Sequence, residues 1–345
     1  MSKLKELIKK VDRSLLWIWS MNKFLSSFYY FFISGKFRRE HHSVLAGRAQ
    51  HFRELKEEKA HFYTLVRNTH RIEKGLLMKP RRDVFALDFI EETVSHFLVL
   101  GIIPHLSSEP QIQWSYEVLK EYFEVTSNHP VIEEQRKRFL SASTTLWDKT
   151  SGPDNLIPYQ RDEKKKPDIP FEDFLALTQY RRSVRWFLNK PVPHNLIDKA
   201  LMAARQSPSA CNRQPFEYRI IDEPELLSKV TDLPMGIKGY QHNIPMMIVV
   251  VGNLDAYFNE RDRHLVYIDA SLANMAFMLA LETLGLSSCP INWPDIENLE
   301  KGMEKVLNLK KFQRPIMCMA VGYPDPKGKV AYSEKRAIKK LRQYN

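Results

Sequence analysis

Apolar residues recur along the chain with two different rhythms. From His41 to about Trp147 they return every three or four positions and glycine is scarce, the pattern of amphipathic helices. The stretch EETVSHFLVLGIIPHL predicts a buried helix ending near Gly101, and Glu117–Phe123 and Val131–Trp147 predict two more. A polar run, TSGPDNLIPYQRDEKKKPDIP, then interrupts the periodicity with prolines, a glycine and charges, which marks a linker over 151–170.

After the linker, helical and extended patterns alternate. FEDFLALTQY and PHNLIDKALMAARQS predict helices, FEYRIID a short strand and PELLSKVTDL a helix. The continuous apolar run MMIVVVG after Pro245 predicts a central strand. The segment from Asp269 to Leu284 predicts a long apolar helix stopped at Gly285. IENLEKGMEKVLNL predicts a helix and PIMCMAVGYP a last strand, with GLSSCPINW before them as a loop. The expected architecture is α+β over 171–345, with helices flanking a sheet and a central apolar helix. A mostly helical amino-terminal domain over 1–150 precedes it.

Charge separates the halves further. Up to Arg82 there are 19 Lys and Arg against 7 Asp and Glu, a net of +12, while the whole chain carries +11. The basic character therefore belongs to residues 1–82, and it points to an anionic surface such as membrane headgroups; nucleic acid is not the expected partner. A basic helix face bathed in solvent gives the same count. Within this region, Lys3, Lys5, Lys9, Lys10 and Arg13 precede SLLWIWSM, and FLSSFYYFFISG follows Asn22-Lys23. The Asn-Lys pair interrupts what would otherwise approach a membrane span of about 20 residues. Residues 14–35 therefore suit an interfacial helix with Trp17, Trp19, Phe24, Phe28, Tyr29 and Tyr30 at headgroup depth, an aromatic helix buried against the protein, or a true span.

Three cysteines, none at zinc-finger spacing, exclude a disulfide framework and predict no metal site. They fit a cytoplasmic protein. His70 and Glu73 in NTHRIEKG offer an acid–base pair or a salt-bridged helix turn.

Four clusters carry candidate chemistry. Arg181, Arg182, Ser183 and Arg185 put three guanidiniums and a hydroxyl within one turn, suited to phosphate. Pro208, Ser209, Ala210, Asn212 and Gln214 bring small and amide-bearing residues between a helix and a strand, suited to a heteroaromatic ring edge. Pro290, Ile291 and Asn292 follow the long helix, and Lys335 and Arg336 lie in a basic tail after Gly322-Tyr-Pro.

In this order and spacing the four resemble the FMN-dependent nitroreductase family, over Phe171 to about Arg336. The resemblance implies that Arg181, Ser183 and Arg185 contact the FMN phosphate and ribityl chain, with Arg182 on the phosphate or ring edge, and that Lys335 and Arg336 add phosphate contacts. It further implies that Pro208, Ser209, Asn212 and Gln214 line the ring, with Ser209 and Ala210 from the partner of a homodimer. Pro290, Ile291 and Asn292 would place backbone groups on the ring, the Asn292 N–H near flavin N5. NAD(P)H would be the co-substrate and a small organic molecule the electron acceptor, with no catalytic side chain beyond the flavin. Two departures bear on this: Asn292-Trp293 replaces a smaller pair, and few residues separate the Val251 strand from Asp269, where lid helices are common. The amino-terminal half is then expected to cover the flavin pocket. Alternatives are a flavin-dependent oxidase or dehydrogenase of a metabolite, and a non-catalytic flavin-binding protein associated with a membrane or complex.

Overall fold

A computed structural model describes residues 3–146 and 156–345. The predicted helix end at Trp147 and the start of the linker, 151–155, lie outside the described residues.

The amino-terminal half is helical, as its periodicity requires. It comprises α1 (Lys3–Trp19), α2 (Lys23–Phe28), a π-helical turn (Tyr29–Ser34), α3 (Arg38–Glu57), α4 (Phe62–Leu76), α5 (Ile90–Leu100), α6 (Pro104–Ser107), α7 (Pro110–Val125) and α8 (Pro130–Leu146). Helices α4, α5, α7 and α8 enclose a core built on Leu65, Ile72, Val94, Phe97, Tyr122 and Phe139. The polar run at 156–170 is extended apart from a 3₁₀ turn at Arg161–Glu163.

The carboxy-terminal half comprises α9 (Phe171–Tyr180), α10 (His194–Ala204), β1 (Phe216–Ile221), α11 (Pro224–Thr231), β2 (Met246–Asn253), α12 (Leu265–Thr283), β3 (Ser287–Asn292), α13 (Glu297–Leu307) and β4 (Gln313–Gly322). The sheet order is β1-β2-β4-β3, and every named pairing is antiparallel. The family resemblance implies a mixed sheet; among the described residues the one parallel pairing is an isolated bridge, Ser183 with Ser288. The GLSSCPINW segment, expected as a loop, is largely the edge strand β3. Proline is tolerated there because an edge strand has one side without a ladder partner.

Strand β2 is central and buried through Gly252, which explains its unbroken apolar run. Its two faces feed two cores. Val249 and Val251 meet Cys289, Ile291 and Trp293 on one side. Ile248 and Val250 meet Ala270, Ala273 and Phe277 of α12 on the other. By length and composition the segment Glu260–Thr283 is apolar enough to cross a membrane, yet its buried positions are the ones packed on this sheet.

Helix α3 joins the halves. A Cβ at Gly47 would lie 2.6 Å from the Leu254 carbonyl, so only glycine lets the helix approach that backbone. Arg39 bridges to Glu297 and Glu304, and Arg48 donates to the Phe258 carbonyl. His51 Nδ1 lies 2.9 Å from the Asp255 carbonyl, and its ring centroid is 3.8 Å from that of His61. Burial dominates the electrostatics here. It lowers the His51 pKa to about 4 and raises that of Asp255 to about 6.

Candidate functional site

Two of the four sequence clusters, those of Arg181 and of Pro290–Asn292, are joined through strand β3. After α9 the chain runs extended through Ser183–Phe187 beside the ends of β3 and β4. The Val184 N–H donates to the Ser288 carbonyl at 3.1 Å, and Phe187 bridges Pro324. Asn243, which the sequence reading missed, fixes this segment from the other side: its Oδ1 accepts from the Phe187 N–H and its Nδ2 donates to the Arg185 carbonyl. The Arg181 cluster and the Gly322-Tyr-Pro turn therefore meet the Ser287 end of β3, and Pro290–Asn292 run on along that strand, where Asn292 pairs with Met317.

Among the described residues, three buried polar atoms at this end have no hydrogen-bond partner: Arg181 Nε, Ser288 Oγ and Glu282 Oε1. Each costs on the order of 1–3 kcal/mol while unsatisfied. Burial raises the Glu282 pKa, while Ser287, donating at 3.1 Å, and Arg181 oppose that shift. The Cys289 thiol is also pushed up by burial. Arg185 and Asn292 are exposed, Arg182 half-buried. Lys335 and Arg336 lie on a fully exposed tail and make no side-chain ion pair among the described residues.

The cluster around Ser209 sits elsewhere. The Ala210 N–H donates to Asp269 Oδ2 at 3.0 Å, near the start of α12, and Ser209 Oγ accepts from the Gln214 N–H. Gln214 Nε2 donates to Asn212 Oδ1 at 2.9 Å. Cys211, Asn212 and Gln214 all have positive φ (55°, 55° and 49°), a concentration of backbone strain seen at functional sites. Asp269, also missed, was legible as the one acid at the head of an apolar helix. Glu282, which feels the Arg181 charge, is thirteen residues further along α12, or roughly 20 Å at the helical rise. The Arg181 and Ser209 clusters therefore stand at opposite ends of one helix, with Asn292 between them beside Met317.

The helical half meets the Ser209 cluster directly. Helix α4 packs on the 3₁₀ turn Ala210–Asn212, and Gln111 of α7 donates to the Asn212 carbonyl at 2.9 Å. Arg67 of α4 lies over the Phe258 ring at 4.7 Å. His70 Nδ1 lies 3.6 Å from a Glu73 carboxylate oxygen inside α4, a contact common to both readings of this pair.

A family comparison decides what this arrangement belongs to: the Nitroreductase family profile matches residues 178–323. That segment is a nitroreductase-family domain. The domain makes the chain an oxidoreductase, and the amino-terminal half has no family assignment. A Methanothermobacter thermautotrophicus protein, named for NADH dehydrogenase or NAD(P)H nitroreductase activity, is 28% identical over 153 residues, covering 44% of this chain and 78% of that protein. Human iodotyrosine deiodinase 1 is 22% identical over 228 residues, covering 53% and 77%. Among solved structures, an FMN-dependent nitroreductase from Clostridium difficile is 24% identical and covers 50% of this chain and 99% of its own, with a TM-score of 0.43. The nitroreductase domain thus accounts for the sheet, α12 and all but the tail residues of the candidate site.

Proposed function

We propose that the chain is an FMN-dependent oxidoreductase that uses NAD(P)H to reduce a small organic acceptor in two half-reactions at one site. The observation that carries this reading is the pair of unsatisfied buried donors, Arg181 Nε and Ser288 Oγ, in a cluster with the Arg182 and Arg185 guanidiniums. A cationic cluster next to orphaned donors fits a molecule with a phosphate at one end and a polar heteroaromatic edge at the other. The chain has no GxGxxG motif, which favours a mononucleotide over a dinucleotide.

In this reading Arg181, Ser183 and Arg185 hold the phosphate and ribityl chain, Arg182 the phosphate or ring edge, and Pro290–Asn292 present backbone to the ring. Lys335 and Arg336 reach the phosphate from the tail. The bound flavin supplies hydride acceptance and donation. The Ser209–Gln214 loop, at the far end of α12, serves the site of a second copy, so the active form is a homodimer with two shared sites. An exposed apolar stripe on α12 supports this: Ile268, Leu272 and Met275 are 48%, 46% and 39% exposed. Helices α4 and α7, seated on the same loop, cover the ring from the side and exclude water. A cytoplasmic setting, where Cys211, Cys289 and Cys318 stay free thiols, completes the reading.

The test is the absorbance spectrum of purified full-length protein, followed by anaerobic mixing with NADH and with NADPH, then with a quinone or nitroarene. Flavin bleaching and recovery are expected. A colourless protein overturns the cofactor. A flavin reduced by neither nicotinamide overturns the co-substrate and favours the oxidase or dehydrogenase reading. Arg181→Ala should weaken flavin binding by about 1.5–3 kcal/mol, the range for hydrogen bonds to charged groups; unchanged retention rejects Arg181.

A further inference from the structure

The residues before α3 form a hairpin with its own internal ties. Helix α1 ends at Trp19, and Asn22 caps α2 by accepting from the Leu25 N–H at 3.0 Å. Ser26 Oγ donates to the Trp19 carbonyl, Trp19 stacks on Phe28, and the Tyr29 hydroxyl donates to Asp12 at 2.8 Å. Gly35, at φ 61°, turns the chain into α3. Tyr29 is the one large apolar side chain among the described hairpin residues that these ties bury.

Ile18, Trp19 and Leu25 are half-buried, and many of the others face outward. Leu7, Val11 and Leu15 of α1 recur every four residues and are exposed; so are Phe24, Phe28 and Phe32. Phe24 is 77% and Trp17 66% exposed. Phe24, Phe28, Tyr30, Phe31, Phe32 and Phe37 line an open groove of about 500 Å³. A contiguous apolar patch of this kind on an otherwise folded chain marks an interaction surface. Around it the sequence places nine Lys and Arg in residues 1–39 against Glu6 and Asp12, and Asp12 is engaged by Tyr29.

We propose that this hairpin seats the protein on an anionic lipid bilayer, with the exposed aromatics at the boundary between headgroups and acyl chains. Charge complementarity selects lipid over a second copy of the chain, because self-association through this patch would bring two strongly basic surfaces together. Aromatic rings beside lysines are the side chains that a headgroup layer accommodates. The patch is separate from the flavin site, so this inference stands whether or not the flavin reading does.

Flotation of the full-length protein with vesicles of phosphatidylcholine, alone or with phosphatidylserine, tests it. Binding is expected with phosphatidylserine only, and it should weaken as salt is raised. Each charge removed in the set Lys10→Gln, Arg13→Gln and Lys23→Gln should lower partitioning about fivefold. Phe24→Ser with Phe31→Ser should abolish flotation while light scattering shows the oligomeric mass unchanged. Equal flotation with neutral vesicles, or none with either, overturns the proposal. A change of mass without a change of flotation makes the patch a protein interface and also overturns it. Silent aromatic substitutions beside strong charge effects indicate a polyanion such as nucleic acid, a third overturning result.

Discussion

Two of the regions that expose large apolar side chains, the amino-terminal hairpin and the α9–α12 face, differ in charge. The amino-terminal hairpin surrounds its aromatics with basic residues. The other region comprises α9, where Phe171 is 68% exposed and no residue is buried, and the α12 stripe. That second region lies against the Arg181 cluster and the far half of the candidate site. Apolar exposure alone does not name a partner. Its electrostatic surroundings and its distance from the chemistry do: one surface suits a charged, fluid phase, the other a copy of itself that completes a site.

The sharpest way to break the comparison is Leu272→Arg. Two copies of that arginine would be buried in an otherwise apolar contact, at a cost of several kcal/mol. Dimer and flavin should be lost together, read by light scattering and bound-flavin absorbance, while flotation with vesicles persists in kind. A flavin-loaded monomer would show that the two halves of the site need no second copy.

A third region, the α3 junction, sharpens the comparison because its surface is already covered. His51 has a folded pKa near 4 against an ordinary 6.5, so the unfolded chain binds more protons between those values. Its contribution is therefore present above pH 6.5 and lost as pH falls towards 4. Asp255 has a folded pKa near 6 against 3.8, so the folded chain holds more protons in that window. Its contribution is present below pH 3.8 and lost as pH rises through 6. The two oppose, and wild-type thermal stability should vary little between pH 4 and 6. His51→Gln should become more stable on acidification across that window and Asp255→Asn less stable, each by up to about 3 kcal/mol. A flat profile in both variants would place these groups in contact with water. The smallest expected effect is that of Gln111→Ala. Losing one neutral hydrogen bond to the Asn212 carbonyl costs about 0.5–1.5 kcal/mol. It should alter acceptor preference in steady-state turnover and leave flavin content intact; unchanged preference would separate α7 from the substrate.

Much of the carboxy-terminal half was readable because burial writes directly into composition. Strand β2 is unbroken Met, Ile and Val since both its faces are covered, and α12 is apolar since it lies across the sheet. Strand β3 was missed because Ser-Ser-Cys-Pro carries little strand propensity, and an edge position tolerates that. The Arg181 and Asn292 clusters were legible as chemistry. The separation of Arg181 from Ser209 by the length of α12 was not, since it depends on which end of a helix each loop meets. The docking of α3 was equally hidden: Gly47 sits in an ordinary helical pattern, and its reason for being glycine lies at Leu254.

That docking makes α3 a ruler. From Arg38, beside the hairpin, to His51, beside Asp255, is thirteen residues, roughly 20 Å along the axis. The screening length at physiological salt is about 8 Å. With the hairpin on a bilayer and α3 upright, the covered side of the pocket stands more than two screening lengths from the lipid headgroups. Membrane charge would then govern where the enzyme resides without governing how often a charged substrate finds it. Location and encounter rate would respond to different variables, and a single rigid helix would be what keeps them apart.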